Sequence, residues 1–287
     1  MRRNWHAIRG SFRAVGTTIL YLAILTGLAS CSSSNNDPDP VVSPVVVNSL
    51  LDDASPPEGT VTLRSALAAA SPGQRITFDS SLNGGTISLI FVAEEHTVLV
   101  GEVMGFDEAN NISYLVGYFD RDYGKSALFA DKDVVIDASS LPDGITLSWD
   151  GADAARVLAV SGDLTLNNIA VTGGNLAFDV AADIGQHPDD NQTSTLARGA
   201  GIAVWGVATL TDCTIYDNHG VGDDADTSRD GGAYGGGVYA DTVVMDGCVV
   251  SGNSIAGGGA AGGGVFSVGG RDTGVDTSVI RGSSITE

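Results

Sequence analysis

Asp223, Asp224, Asp226 and Asp230 crowd one short stretch of this 287-residue chain, and Asp189 and Asp190 follow His187 in another. Carboxylates grouped in this way either face water at turns or clamp calcium, which takes several carboxylate and carbonyl oxygens. Asp223-Asp-Ala-Asp226 lacks the spacing of an EF-hand loop. Polysaccharide chemistry makes other demands. Elimination needs an Arg or Lys base beside a carboxylate-held cation, and hydrolysis needs carboxylates across the glycosidic bond. Arg198, Arg229 and Arg271 are the candidate bases, yet all three lie in glycine-rich stretches that read as linkers. The histidines, at positions 6, 96, 187 and 219, do not pair at metal-ligand spacing, and His219 beside Asn218 reads as a turn residue. The sequence thus assigns no catalytic residue, no metal ligand and no cofactor, with calcium the one cation left open.

The elements that would position side chains repeat. Thr209–Asn218, Val244–Asn253 and Val279–Glu287 fall into one register, with Leu210, Met245 and Ile280 separated by 35 residues at each step. Thr165–Gly174 aligns with them, placing Ile169 in the column of Cys213 and Val171 in the column of Ile215. A fixed period of this kind predicts a solenoid, in which each repeat buries its apolar face against its neighbours. Cys213 and Cys248 then stack about 4.8 Å apart inside adjacent coils. A disulfide draws its Cβ atoms to roughly 3.5–4.5 Å, so two buried free thiols are expected and a strained bridge is the alternative. Asn218 and Asn253 end equivalent segments and are expected to form an amide ladder at a bend, a structural role. No helix follows the glycine runs at 231–237 and 257–264, so they read as turns and linkers, not phosphate loops.

Composition agrees with short strands and many turns. Aromatics make up 6% of the chain, and most of the 39 glycines come late. Acidic residues number 35 against 14 basic, which excludes nucleic acid as a natural partner. The first 30 residues read as a signal peptide: Arg2, Arg3, Arg9 and Arg13 precede an apolar run from Val15 to Leu28. Leu28-Ala-Ser-Cys31 resembles the lipobox of bacterial lipoproteins, which implies cleavage before Cys31, lipidation of its thiol and a membrane anchor. Ser32 after the cysteine implies, on that resemblance, delivery to the outer membrane or cell surface. Residues 31–44 read as a flexible tether.

Residues 45–155 are expected to hold an N-terminal cap and the first coils, and residues 156–287 the repeats. Val45–Asn48 opens as a strand, and Thr62–Ala70 is the one clear helix, with Thr60 or Thr62 as N-cap and Pro72-Gly73 as its stop. Strand patterns follow at Arg75–Phe78 and Thr86–Phe91. Near 91–126 the pattern is interrupted by two strand-like runs, His96–Met104 and Ile112–Phe119, which read as an inserted β-hairpin. Seven of the eighteen aromatics fall within residues 91–129. They either pack along the stack or project, and Phe106, Tyr114, Tyr118 and Phe119 are the candidate partner contacts.

Thr62-Leu-Arg-Ser-Ala-Leu67, Ile76-Thr-Phe-Asp79 and Leu82–Leu89 together resemble the CSLREA-type N-terminal region of bacterial right-handed parallel β-helix proteins. The later Gly-Gly-Gly-Val and Asn-ended segments are similar to polymorphic outer membrane protein repeats. The resemblance spans most of residues 45–287 and implies an all-β, single-stranded right-handed parallel β-helix with a capping helix. It also implies a non-enzymatic surface protein, for display, adhesion or structural binding, with a polysaccharide or a surface protein as ligand. A lyase or hydrolase of the pectate-lyase-like type is the alternative. Because the last repeat stops one residue short of its Asn, the sequence is expected to be a fragment of a longer solenoid.

Overall fold

The computed structural model describes residues 43–93, 97–107, 112–122, 124–177, 179–180, 195–222, 233–257, 259–269 and 277–286. For the two strands within 97–122, and for 179–180 and 195–196, it describes backbone alone. The expected signal peptide, Cys31 and the tether as far as residue 42 lie outside the described residues, as do His96, His187, Arg229, Arg271 and both acidic loops.

The fold is all-β, built mostly of parallel strands. One sheet runs through Val45–Val47, Arg75–Phe78, Val134–Asp137, Leu164–Asn167, Ile202–Thr211 and Val238–Asp246, ending on Val265–Ser267 and Val279–Arg281. Ser126–Ala130 and Arg156–Val160 join it beside Ile202–Val204. A second sheet runs through Thr86–Leu89, Ile145–Trp149, Ile169–Thr172, Thr214–Tyr216, Val249–Ser251 and Ser284–Thr286. The register follows the apolar alternation. Leu166 faces Leu210, Leu210 faces Met245, and Met245 faces Ile280. In the second sheet Val171 faces Ile215 and Ile215 faces Val250. A slip of one residue would turn each of these side chains outward, so burial locks the register. One apolar cluster accordingly extends from Val47 to Val250.

From Leu164–Asn167 onward, each crossing from the first sheet to the second turns at one residue of positive φ. These are Asn168 (54°), Asp212 (52°), Gly247 (66°) and Gly282 (54°), with Gly144 (64°) at the earlier crossing. Gly, Asn and Asp are the residues that enter this region at least cost, which explains why these types recur there. The corners stack closely: a Cβ added to Gly247 would lie 2.4 Å from Asp212 Oδ1.

A third sheet, which the sequence pattern does not announce, follows the Asn bends: Asn175–Ala177, His219–Val221 and Ser254–Ala256. His219 is therefore a strand residue, not a turn residue, and its Nδ1 lies 2.8 Å from Ser254 Oγ. The glycine runs also differ from the linkers expected. Gly201 N donates to Gly236 O (3.0 Å), and Gly236 N and Gly237 N donate to Gly262 O and Gly263 O (3.1 and 3.0 Å). These backbones stack because they have no side chains. A Cβ on Gly237 would meet Gly264 O at 2.6 Å and Asn253 Cγ at 3.0 Å.

The helix Leu63–Ala69 covers the first strands with Leu63, Ala66 and Leu67 buried. Thr62 is its N-cap: Thr62 Oγ1 accepts from Ser65 N (3.2 Å) and Ser65 Oγ accepts from Thr62 N (3.0 Å). Thr97–Asp107 and Ile112–Asp122 pair antiparallel as a two-stranded ribbon, with register shifts between Leu99 and Gly101 and between Val103 and Met104.

Candidate functional site

Residues that alternate inward along the first sheet leave their neighbours facing out, and one outward position is polar on nearly every strand. Thr77, Asp137, Asn167, Thr211, Asp246 and Arg281 occupy the same register position on six strands. Adjacent strands lie about 4.8 Å apart, so the column is a ruler of that pitch. Where it meets the corner residues it borders a groove of about 550 Å³ lined by Arg75, Asp137, Ser139, Pro142, Asn167, Asn168, Thr211 and Asp212.

Asp137 is the fixed point of the groove. It is 6% exposed and accepts from Arg75 Nη1 (2.8 Å) and Ser139 N (2.9 Å). Burial alone would push its carboxyl up. Hydrogen bonds from Ser139, the Arg75 charge and the Asn167 amide outweigh burial and hold it below the ordinary value. Asn168 Nδ2 donates to Leu141 O (2.6 Å), tying the corner to the turn that follows Val134–Asp137. Among the described residues, the Thr211 hydroxyl and the Asp212 carboxylate make no hydrogen bond. The groove therefore joins a rigid carboxylate, an amide and two unengaged polar groups. Hydroxyl and amide both donate and accept, whereas the carboxylates only accept.

A larger hollow, of about 730 Å³, lies beside the capping helix, lined in part by Arg64, Leu67, Phe91, Leu128 and Lys132. Its cations are already engaged. Arg64 pairs with Asp52 through Nε to Oδ1 (2.7 Å) and Nη2 to Oδ2 (3.0 Å), and donates to Ala127 O and Phe91 O. Lys132 Nζ donates to Ala70 O at 2.6 Å, closing the helix end. The hollow is a seam of the lid, and the corner groove is the better candidate site.

The residues singled out from sequence fall elsewhere. Asn218 and Asn253 are buried and joined, Asn218 Nδ2 donating to Asn253 Oδ1 at 2.9 Å. Asn218 Oδ1 accepts from Gly174 N (2.9 Å), and Asn218 N donates to Asn253 Oδ1 (3.1 Å), so each amide serves the backbone of the equivalent bend before it. Cys213 and Cys248 are buried and free, donating to Leu166 O (3.4 Å) and Leu210 O (3.3 Å). The neighbouring Cys248 sulfur, together with burial, pushes the Cys213 thiol well above its ordinary value. Arg198 ends the strand Thr195–Arg198 opposite Tyr234, where a linker was expected, and its guanidinium lies 5.5 Å from the Tyr239 ring centroid. Phe106, Tyr114, Tyr118 and Phe119 stand on the antiparallel ribbon opposite Ser113, Gly105, Glu102 and Gly101; their side chains lie outside the described part. Among the described residues no group of three or more His, Cys, Asp or Glu is placed to hold a metal ion.

The alignment of Thr165–Gly174 with Thr209–Asn218 already puts Asn167 in the column of Thr211, but Asp137 escapes it because its step to Asn167 is 30 residues, outside the 35-residue period. The available signal was the polar residue that closes each of those strands. Comparison with protein-family models, curated proteins and solved structures returned no match.

Proposed function

We propose that this chain is an exported right-handed parallel β-helix, lipid-anchored through Cys31 at the outer membrane or cell surface, that works as a non-enzymatic binding and display protein. The observation that carries the reading is the polar column, one outward residue per strand at fixed pitch beside a preformed groove. A stack of parallel strands is stiff, so a long ligand meets many equivalent contacts without ordering the protein first. Each contact is weak, and their sum gives useful affinity. The lipobox at Leu28–Cys31 supports the address.

Radioactive palmitate labelling in a diderm bacterial host, with protease treatment of intact cells, tests this. The wild-type chain incorporates label and is clipped from outside, and Cys31→Ala incorporates none. Equal labelling of the two, or recovery of both from the cytosol, sinks the proposal.

A further inference from the structure

We infer that the corner groove and its polar column are the binding track for a neutral polysaccharide chain running in the direction in which the strands stack. The inference rests on the reading of this chain as a binding protein and names the ligand class for that site.

Pitch is the first argument. Asp137, Asn167, Thr211 and Asp246 repeat one register position at about 4.8 Å, close to the length of one pyranose ring. A sugar chain laid along them meets one protein side chain per ring. Donor and acceptor balance is the second. Neighbouring sugar hydroxyls donate to a carboxylate and accept from an amide or hydroxyl, the group types that the exposed Asp246 and the half-buried Asn167 and Thr211 offer. Thr211 and Asp212 bring polar atoms that no described group uses. Preorganisation is the third: Asp137 is 6% exposed and already fixed by Arg75 and Ser139, so binding spends little on ordering it.

Charge selects the class. Groove and column together hold three carboxylates, Asp137, Asp212 and Asp246, against two guanidiniums, Arg75 and Arg281, on a chain of net charge −21. Uronates, sulfated glycans and phosphates meet repulsion there, and a neutral glycan does not. The flank agrees, because the outward column of the second sheet is hydroxylated on every strand and carries no charge: Ser88, Ser148, Thr172, Tyr216, Ser251 and Thr286.

The test is affinity electrophoresis of the full, detergent-solubilised chain through native gels holding soluble mixed-linkage β-glucan, galactomannan or polygalacturonate. At least one neutral polymer retards the chain and polygalacturonate does not. Thr211→Val, isosteric but without the hydroxyl, weakens the retardation about three- to tenfold, the loss of one hydrogen bond. Thr211→Arg, which fills the groove from a half-exposed strand position, abolishes it. Thermal midpoints of both variants confirm that they fold. Retardation by neither neutral polymer, stronger retardation by polygalacturonate, or retardation unchanged in both folded variants overturns the inference. A chain that is still palmitoylated and surface-exposed but ignores every polymer sinks the ligand class and leaves the surface-binding reading standing.

Discussion

At the N-terminal lid, buried polarity is one ion pair: Asp52, 1% exposed at its side chain, against Arg64 at 13%. In the repeats the pair that recurs at equivalent bends is neutral, Asn218 on Asn253, 35 residues apart. The ion pair is made once, from residues twelve apart in sequence, and it gathers unlike pieces. Arg64 holds the carbonyls of Phe91 and Ala127, on either side of the antiparallel ribbon, while Asp52 accepts the N–H groups of Ile90 and Phe91. The amide pair does the opposite, binding like to like, so one design serves both equivalent bends. The lid joins unlike pieces through charge and the two equivalent bends join through amides, while Arg156, 2% exposed and bonded to Ser126 Oγ and Arg198 O, is a buried charge apart from both.

Breaking the lid gives the largest effect. Asp52→Ala strands the Arg64 charge in a mostly dry site and costs about 3–5 kcal/mol in denaturant unfolding. Amide exchange at Ile90 and Phe91 speeds up with it, since both lose their acceptor. Removing the charge as well, in Asp52→Ala with Arg64→Met, restores most of the loss. A double variant no more stable than Asp52→Ala would mean that the pair is not the anchor.

The amide pair comes next, and its two members differ. Asn218→Ala leaves Gly174 N without its acceptor, takes the amide donor from the carbonyls of Val171 and Tyr216, and costs about 3 kcal/mol. Asn253 Oδ1 then keeps only the backbone N–H of residue 218. Asn253→Ala frees the Asn218 N–H and the carbonyls of Ile215 and Ser251, and costs about 2 kcal/mol. Equal losses, read from urea midpoints at constant m-value, would show that each coil stands alone.

The same contrast governs what is legible in the sequence. Leu210, Met245, Cys213, Cys248, Asn218 and Asn253 recur at a fixed step, so spacing alone reveals their columns. Asp52 with Arg64 has no period to betray it, and Asp52 reads as one more turn aspartate. The third sheet hides for another reason: His219–Val221 and Ser254–Ala256 are three residues each, too short to show alternation. The glycine stacks mislead through composition, which suggests flexibility in a backbone that is stacked because it has no side chains.

A smaller effect belongs to the corners. Gly247→Ala places a Cβ at positive φ, against Asp212 Oδ1, and costs about 1–2 kcal/mol. Asp212→Gly keeps the corner conformation and adds no atom against its neighbour, so thermal midpoints separate the two variants clearly. If both fall equally, Asp212 stabilises the stack in some way other than by tolerating its corner.

The smallest effect isolates the groove from both regions. Arg75 is 61% exposed at its side chain, so its pair with Asp137 contributes at most about 0.5 kcal/mol. Asp137 has its carboxyl lowered in the folded chain, so it adds stability that is full above the ordinary carboxylate value and lost as pH falls through the lowered one. Arg75→Met moves the folded value back toward the ordinary one. The variant is therefore slightly less stable at neutral pH, and the gap closes in acid, where Asp137 is protonated in both proteins. Urea titrations at neutral pH and in acid measure that closure. A gap that persists in acid means that the Arg75 stem acts by packing, and the Ser139 and Asn167 bonds alone then set the carboxylate that faces the groove.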